Sequence, residues 1–466
     1  MKNKPIKRSY ISCIGASACE VTGSAYLVNH KEYQILLDFG MIQGHGDVYS
    51  NYLANYDQAH KLKPKTIDSV LISHANLDHH GLVPYLYGHG CKATTFVPEG
   101  NKKYLQLLWE DSFNIMQSDC LKIQKKKGRK VSPLYSKEDI DIALFHVVEI
   151  PYNYTIHIGK DITFEFLPAG HIQHSASIYL TLTRGYIKKT LWYSGDLGPN
   201  TKQMYVEEKE FPKQFDIGIA ETTYNVPTRV SKPRDREKDL EKIESIVNEY
   251  DRTIFPAFSL NRSQVIITEL YNLWKQGKIP KDIKIYFDAP LGIRISNCWD
   301  GEDWKEIWND WPNLIKLTDY ASSQSVQKKK EKCIVIAGAG MCTSGRILSW
   351  LKNSINNPKA HLVFIGYCPP EGLAADIKSN KKYITIDDVT VENKCNYTEL
   401  VSFSSHANYE ELMDYYGNVL TYDKIALVHG EFDDKVVFAN TLQNNLIAQG
   451  KSSRVIAVNA DSKIYF

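Results

Sequence analysis

Short apolar runs, broken by glycine, asparagine or charged residues, dominate the first half of the chain. Tyr10–Ile14, Ser24–Val28, Gln34–Leu37 and Ser69–Ile72 read as strands, and Thr163–Leu167, Ile178–Thr183, Thr190–Ser194 and Ile217–Ala220 read likewise. Tyr104–Met116 has helical spacing and predicts a helix packed on a sheet, whereas the lysine-rich stretch 120–140 reads as an exposed excursion. The pattern changes after Glu221. Ser231–Glu249 is charged and periodic, a surface helix, and Arg252–Phe255, Lys284–Phe287, Cys333–Ala337 and His361–Gly366 read as buried strands. Helices are predicted over Asn261–Trp274, capped by Asn261 or Ser263, and over Ser344–Asn353. Strand alternating with helix predicts an α/β fold with a parallel sheet. Glu399–Phe403 and Lys424–Val428 read as late strands.

Length changes the picture first: 466 residues exceed one core, so two or three domains are expected. A net charge of +2 excludes a global field that draws the protein onto nucleic acid, and any polyanion must be held by a local groove. Lys125–Lys130 and Lys328–Lys330 are basic runs, of a kind that usually forms solvated loops. The nine cysteines contain no Cys-x-x-Cys pair, which argues against a disulfide framework and for a reducing compartment. The N-terminus lacks an apolar leader and no run approaches membrane-spanning length, so a cytoplasmic protein with no membrane partner is expected.

The chemistry concentrates in Ser73-His74-Ala75-Asn76-Leu77-Asp78-His79-His80-Gly81, directly after the strand Ser69–Ile72. If the segment stays extended, His74, Asn76 and Asp78 face one side; His79 joins them only if the backbone turns, and Gly81 fits such a turn. Imidazole and carboxylate in this density suit a zinc-type ion. Four other strand ends carry residues of the same kind: His171, Asp196, His406 and His429. Each alone is weak, because a lone histidine after a strand is more often structural. Together they supply the ligands of a two-metal site, about three per ion plus a bridging carboxylate.

With these residues in order, Asp38, His-x-x-x-Asp-His at 74–79, His171, Asp196 and His429, the chain resembles the metallo-β-lactamase fold. Ile219–Tyr224, Phe255–Gln264, Ser402–His406 and Leu427–Glu431 are similar to the β-CASP branch, which includes bacterial RNase J, archaeal relatives and the eukaryotic pre-mRNA end-processing endonuclease. The resemblance implies an αββα sandwich built from 1–224 and 371–466, with an α/β β-CASP domain inserted over 225–370 and capping the site. It implies His74 and His171 as ligands of one zinc and Asp78, His79 and His429 of the other, with Asp196 bridging and Asp38 orienting from behind. His406 resembles the general acid, held by Glu221. Arg262, Ser405, and Ser344-Gly345 within the glycine-rich turn 338–346, resemble phosphate-binding elements. The implied reaction is metal-assisted hydrolysis of single-stranded RNA, endonucleolytic or 5′-exonucleolytic, and the histidine at 429 favours RNA over DNA. A homodimer is left open.

Three departures stand out. Asn76 replaces the second histidine of His-x-His-x-Asp-His, which predicts that the His74/Asn76/His171 site holds zinc weakly or stays empty. His174 is the first candidate to compensate, while His80 should point away. Tyr224–Arg229 and Gly366–Pro370 also differ from the pattern. Two other classes of function therefore remain: a catalytically weakened module that binds RNA or a partner, and a hydrolase of another phosphodiester or small ester on the same scaffold.

Overall fold

The computed structural model describes residues 8–227, 234–342, 344–366, 372–387 and 389–466. Thr343, Tyr367–Pro370 and the segment 228–233, all named above, lie outside the described residues. The chain divides into two compact units, 1–231 with 405–466, and 232–404.

The first unit contains two seven-stranded sheets. One orders its strands Lys463–Tyr465, Tyr10–Cys13, Tyr26–His30, Tyr33–Leu37, Ser69–Leu71, Thr94–Pro98 and Val147–Ile150. The other runs Arg454–Ala457, Tyr422–Val428, Phe215–Glu221, Ile187–Tyr193, Ala176–Arg184, Ile162–Pro168 and Ile156–Ile158. Side-chain alternation sorts the second sheet into two faces. Leu191, Tyr193, Ile217, Ile219, Ala426 and Val428 join Ile11, Tyr26, Val28, Ile35, Leu37 and Leu71 of the first sheet in one buried core. Trp192, Ala220, Ile425 and Leu427, one residue out of phase, pack with Leu412, Tyr416, Phe438 and Leu442 of helical segments. On the first sheet, the helices Lys102–Lys127 and Lys137–His146 lie against Thr94–Pro98 and Val147–Ile150. The architecture is the predicted αββα sandwich.

The second unit holds a parallel six-stranded sheet in the order Leu314–Lys316, Lys284–Asp288, Cys333–Ala337, Arg252–Pro256, Ala360–Phe364 and Asn396–Glu399, and a hairpin of Tyr383–Ile386 with Val389–Glu392. The last strand of the sheet lies beyond residue 371. Its pairing, His361 with Asn396 through Phe364 with Glu399, ties residues up to 404 to this unit. Three expectations change. The stretch from 120 onward is no excursion at first: the helix runs to Lys127 and stops at Gly128, whose φ of 66° ends it. Glu399–Phe403 is a strand only at its first residue and then a 3₁₀ turn over Val401–Phe403. Helix Arg262–Lys275 is capped by neither Asn261 nor Ser263, since Asn261 makes no side-chain cap and the Ser263 hydroxyl donates to Phe258 O. The described cysteines form no disulfide, and among the described residues no helix is long and apolar enough to cross a membrane.

The turn after Ser69–Leu71 is fixed by backbone bonds. Ser24 N donates to Asp78 O (2.8 Å), Phe39 N to His79 O (2.8 Å) and Met41 N to Leu77 O (2.9 Å). This laces the metal-ligand stretch to Asp38–Met41. Gly40 lies so close that a Cβ there would fall 1.6 Å from Asp78 O. Gly40→Ala must therefore move the 77–80 turn off the segment 38–41, and overpacking of this kind costs about 3 kcal/mol. A thermal unfolding midpoint several degrees below wild type is expected; an unchanged midpoint refutes the tight lacing.

Candidate metal centre

Strand direction brings the candidate ligands together. Ile162–Pro168 and Ile187–Tyr193 are both antiparallel to Ala176–Arg184 between them, so both end at one edge. Phe215–Glu221 and Tyr422–Val428 run parallel to Ile187–Tyr193 and end there too. His171, Asp196, Glu221 and His429 sit at or just past these four ends. Asp38 and the 74–79 stretch arrive from adjacent parallel strands of the other sheet. Asp38 (φ 56°) and His429 (φ 53°) adopt left-handed backbone, each turning the chain sharply where its side chain is needed.

Among the described residues, two groups of donors lie within ion-binding reach: His74, His171 and Asp196, and Asp78, His79 and His429. Asp196 stands between them. Its Oδ2 is 3.6 Å from His74 Nε2 and 3.7 Å from His171 Nε2, while its Oδ1 is 3.3 Å from His79 Nε2. Asp78 Oδ2 lies 3.7 Å from His79 Nε2 and 3.4 Å from His429 Nε2. His74 Nε2, His79 Nε2 and Asp196 Oδ1 are buried without a hydrogen-bond partner. Buried polar atoms are rarely left so, and this set of imidazole nitrogens and carboxylate oxygens fits divalent cations.

A second layer fixes the rings. Asp38 is wholly buried and accepts from Ser73 N, Ser73 Oγ, Tyr193 OH and His79 Nδ1 at 2.6–2.7 Å. The Ser73 hydroxyl spends its proton on Asp38, so it accepts from His74 Nδ1 at 3.0 Å. His171 Nδ1 donates to Ser405 O at 3.1 Å. In all three histidines Nδ1 carries the proton and Nε2 is left for a cation. Burial lowers the His74 pKa far below its usual value and that of His171 to about 3, so both imidazoles are neutral and ready to coordinate. His79 and His429 behave oppositely. Burial again favours their neutral forms, but the Asp196 and Asp78 carboxylates outweigh it and raise both pKa values, His79 well above the usual range. Burial likewise opposes ionisation of Asp78 and Asp196, and these imidazoles overcome it, lowering both carboxyls.

The other predicted residues separate. The segment 77–80 is a helical turn, not an extended run, so His79 joins Asp78 through that turn; Gly81 has an ordinary φ of −61° and is required instead by contact, because a Cβ would lie 2.6 Å from Leu77 O. The Asn76 amide nitrogen is 3.3 Å from His171 Nε2, which places this side chain beside the first group. His174 does not compensate: it pairs with Glu207 at 3.0 Å and belongs to neither donor group. His80 packs edge-on against Trp109, outside both groups. His406 Nδ1 lies 3.5 Å from Glu221 Oε1, and its ring centre is 4.4 Å from that of His171. Glu221 accepts from Leu197 N (2.9 Å) and Thr223 N (2.8 Å), so its carboxylate is fixed. Ser405 is buried and contributes its carbonyl to His171. Arg262, Ser344 and Gly345 belong to the second unit: Arg262 is 7% exposed at the start of its helix, and Ser344 and Gly345 are exposed ahead of a helix that begins at Arg346. Sequence reading missed Ser73, Tyr193 and Thr223, the last with Oγ1 3.0 Å from His429 Nδ1. Each lies within a few residues of a recognised ligand, the one signal available.

A two-sheet sandwich with paired cation-binding groups at its strand ends defines a metallo-hydrolase scaffold. The family model described as "Metallo-beta-lactamase superfamily" matches residues 20–256, that of the "Beta-Casp domain" residues 263–377, and that of the "Zn-dependent metallo-hydrolase RNA specificity domain" residues 390–449. The chain belongs to the β-CASP branch of the metallo-β-lactamase superfamily. It is similar to a protein named as a ribonuclease from Thermus thermophilus, 29% identical, covering 89% of this chain and 92% of that one. It is also similar to an RNase J-like protein from Methanocaldococcus jannaschii, 26% identical, covering 92% of this chain and 94% of that one. A crystal structure of an Enterococcus faecalis V583 protein of unknown function matches in fold, with a TM-score of 0.58 and 13% identity over 99% of this chain and 100% of that chain.

The raised pKa values of His79 and His429 set the sign of a pH effect. A raised pKa favours the protonated imidazole, so a cation competes with protons for these rings. Affinity should weaken as pH falls from 7.5 to 6, by up to about tenfold per pH unit for each proton displaced. Calorimetric titration with zinc in two buffers of different ionisation enthalpy measures the release directly. Binding with no proton release refutes the assignment.

Proposed function

We propose that this chain is a zinc-dependent ribonuclease that hydrolyses phosphodiester bonds of single-stranded RNA. The observation that carries the reading is the pair of donor groups joined at Asp196, in a chain whose residues 390–449 match an RNA specificity domain. The ribonuclease names of its relatives support it. Divalent cations held by the two groups would polarise a phosphoryl oxygen and make hydroxide available near neutral pH. The protein's own residues do the rest. Asp38, Ser73 and Ser405 hold three imidazoles in the ligating tautomer. Glu221 faces His406, which donates a proton to the departing 3′ oxygen. Arg262 and the 344–345 turn are the proposed phosphate contacts. The binding-module alternative has no observation of its own, since Asn76 leaves the Asp78/His79/His429 group whole.

Asn76 makes the two groups unequal. With an amide in the third position, the first group offers two imidazoles and a share of Asp196, while the second adds the Asp78 carboxylate to the same complement. One negative charge separates them, so the second group should bind zinc first and the first group more weakly. Purified protein should cleave single-stranded RNA and lose activity with chelator. His406→Ala should lose about 10²- to 10⁴-fold in kcat, the range for a general acid, and His79→Ala at least as much. Undiminished cleavage in both variants overturns the mechanism. Asn76→His should strengthen the weaker of two zinc-binding steps at least about tenfold; a single unchanged isotherm overturns the unequal pair.

A further inference from the structure

The segment that delivers His406 is held by two arginines that nothing above uses. We infer that Arg234 and Arg236 form a clasp on residues 402–404 and act as positioning residues for His406; this rests on the reading of His406 as proton donor. Arg234 Nη1 donates to Ser404 O at 2.7 Å, and Arg236 Nη1 to Ser402 O at 3.3 Å. Between these carbonyls the Arg236 guanidinium lies over the Phe403 ring, 3.7 Å from its centre. Its Nε meets Glu269 Oε1 at 3.0 Å, and Glu269 is 6% exposed. Asp239 Oδ2 completes the grip by accepting from Ser402 N at 3.2 Å. One planar group thus binds a carbonyl, a carboxylate and a ring face at once, which an ammonium cannot do.

The held residues form a 3₁₀ turn, Val401–Phe403, outside any sheet ladder. Without the clasp, Ser402 O and Ser404 O lose donors and Phe403, 1% exposed, loses the cation on its face. The chain continues directly into Ser405, whose carbonyl sets the His171 tautomer, and His406, whose Nδ1 faces Glu221. Two peptide units separate Ser404 from His406, too few to absorb a displacement of the turn. A shift of about 1 Å in a catalytic group can cost about a hundredfold in rate.

The test uses this chain with Arg236→Ala, Arg236→Lys, and Arg234→Ala, which removes the bond to Ser404 O and keeps the variant set informative if Arg236→Ala folds poorly. Arg236→Ala should lower kcat for RNA cleavage about 10- to 100-fold with KM and bound zinc per chain unchanged. Arg236→Lys should recover only part of that loss and Arg234→Ala should lose less. In a His406→Ala background, Arg236→Ala should cost almost nothing further, because the two act through one step. Hydrogen exchange should quicken over 401–406 and stay unchanged over 74–79 in both alanine variants. Full additivity with His406→Ala, or unchanged exchange over 401–406, overturns the clasp. Failure of the wild type itself to cleave RNA overturns the proposed function first and the clasp's role in catalysis with it, while exchange still reports whether the arginines hold the turn.

Discussion

Asp38 sits where the two sheets meet the site, and its carboxylate is wholly buried. A buried carboxylate is costly unless donors surround it. Here they come from both sheets: Ser73 and His79 follow the strand Ser69–Leu71 of one, and Tyr193 ends the strand Ile187–Tyr193 of the other. One side chain therefore fastens the sandwich at its functional edge and fixes the orientation of two imidazoles, His79 directly and His74 through Ser73. Loss of this carboxylate would leave Tyr193 OH, Ser73 N and the His79 ring without their acceptor together, so stability and metal geometry are coupled through a single group.

The same coupling explains why the metal-binding edge is made of tight backbone turns. Asp196 and Asp78 bring negative charge to this edge, and that charge favours the protonated forms of His79 and His429. A divalent ion in place of those protons would keep the charge compensated without a change of geometry. That requires a frame that does not depend on the ion. Gly198 and Gly40 let neighbouring backbones approach to distances no Cβ permits, Gly198 against Gly170 O beside His171 and Gly40 against Asp78 O. Binding energy for the cation then goes into coordination and less into ordering the chain.

Much of the site was legible because strand ends announce themselves: an apolar run stopped by His or Asp beside Gly, as at His171, Asp196 and His429. The strand directions that make these ends converge were not legible from the runs alone and came with the family resemblance. Elements with little hydrophobic contrast escaped. The helix Val48–His60 presents a largely polar sequence and buries only Asn55, Gln58 and Ala59. The strand Asn396–Glu399 is polar and sits at a sheet edge, so nothing in its pattern opposed a boundary at 371. The period-two argument for His74, Asn76 and Asp78 failed for a physical reason: backbone donors from Ser24, Phe39 and Met41 reward a turn there, and a turn satisfies carbonyls that an extended run would leave open.

That lacing also accounts for how Asn76 is tolerated. Asn76 precedes the helical turn Leu77–His80, and His79 N bonds to its carbonyl at 2.8 Å, a backbone role any residue can fill. Its side chain is half-buried and reaches His171, while the rings of His74, His79 and His171 are held from behind by Ser73, Asp38 and Ser405. An amide at this position therefore bears on the donors beside the first group and leaves the frame alone. Asp196 transmits the consequence. Its two oxygens face different groups, so a cation held by Asp78, His79 and His429 would draw on Asp196 Oδ1 and weaken what Oδ2 offers to the other. The asymmetry begun by one residue would thus be enlarged by the carboxylate that joins the pair.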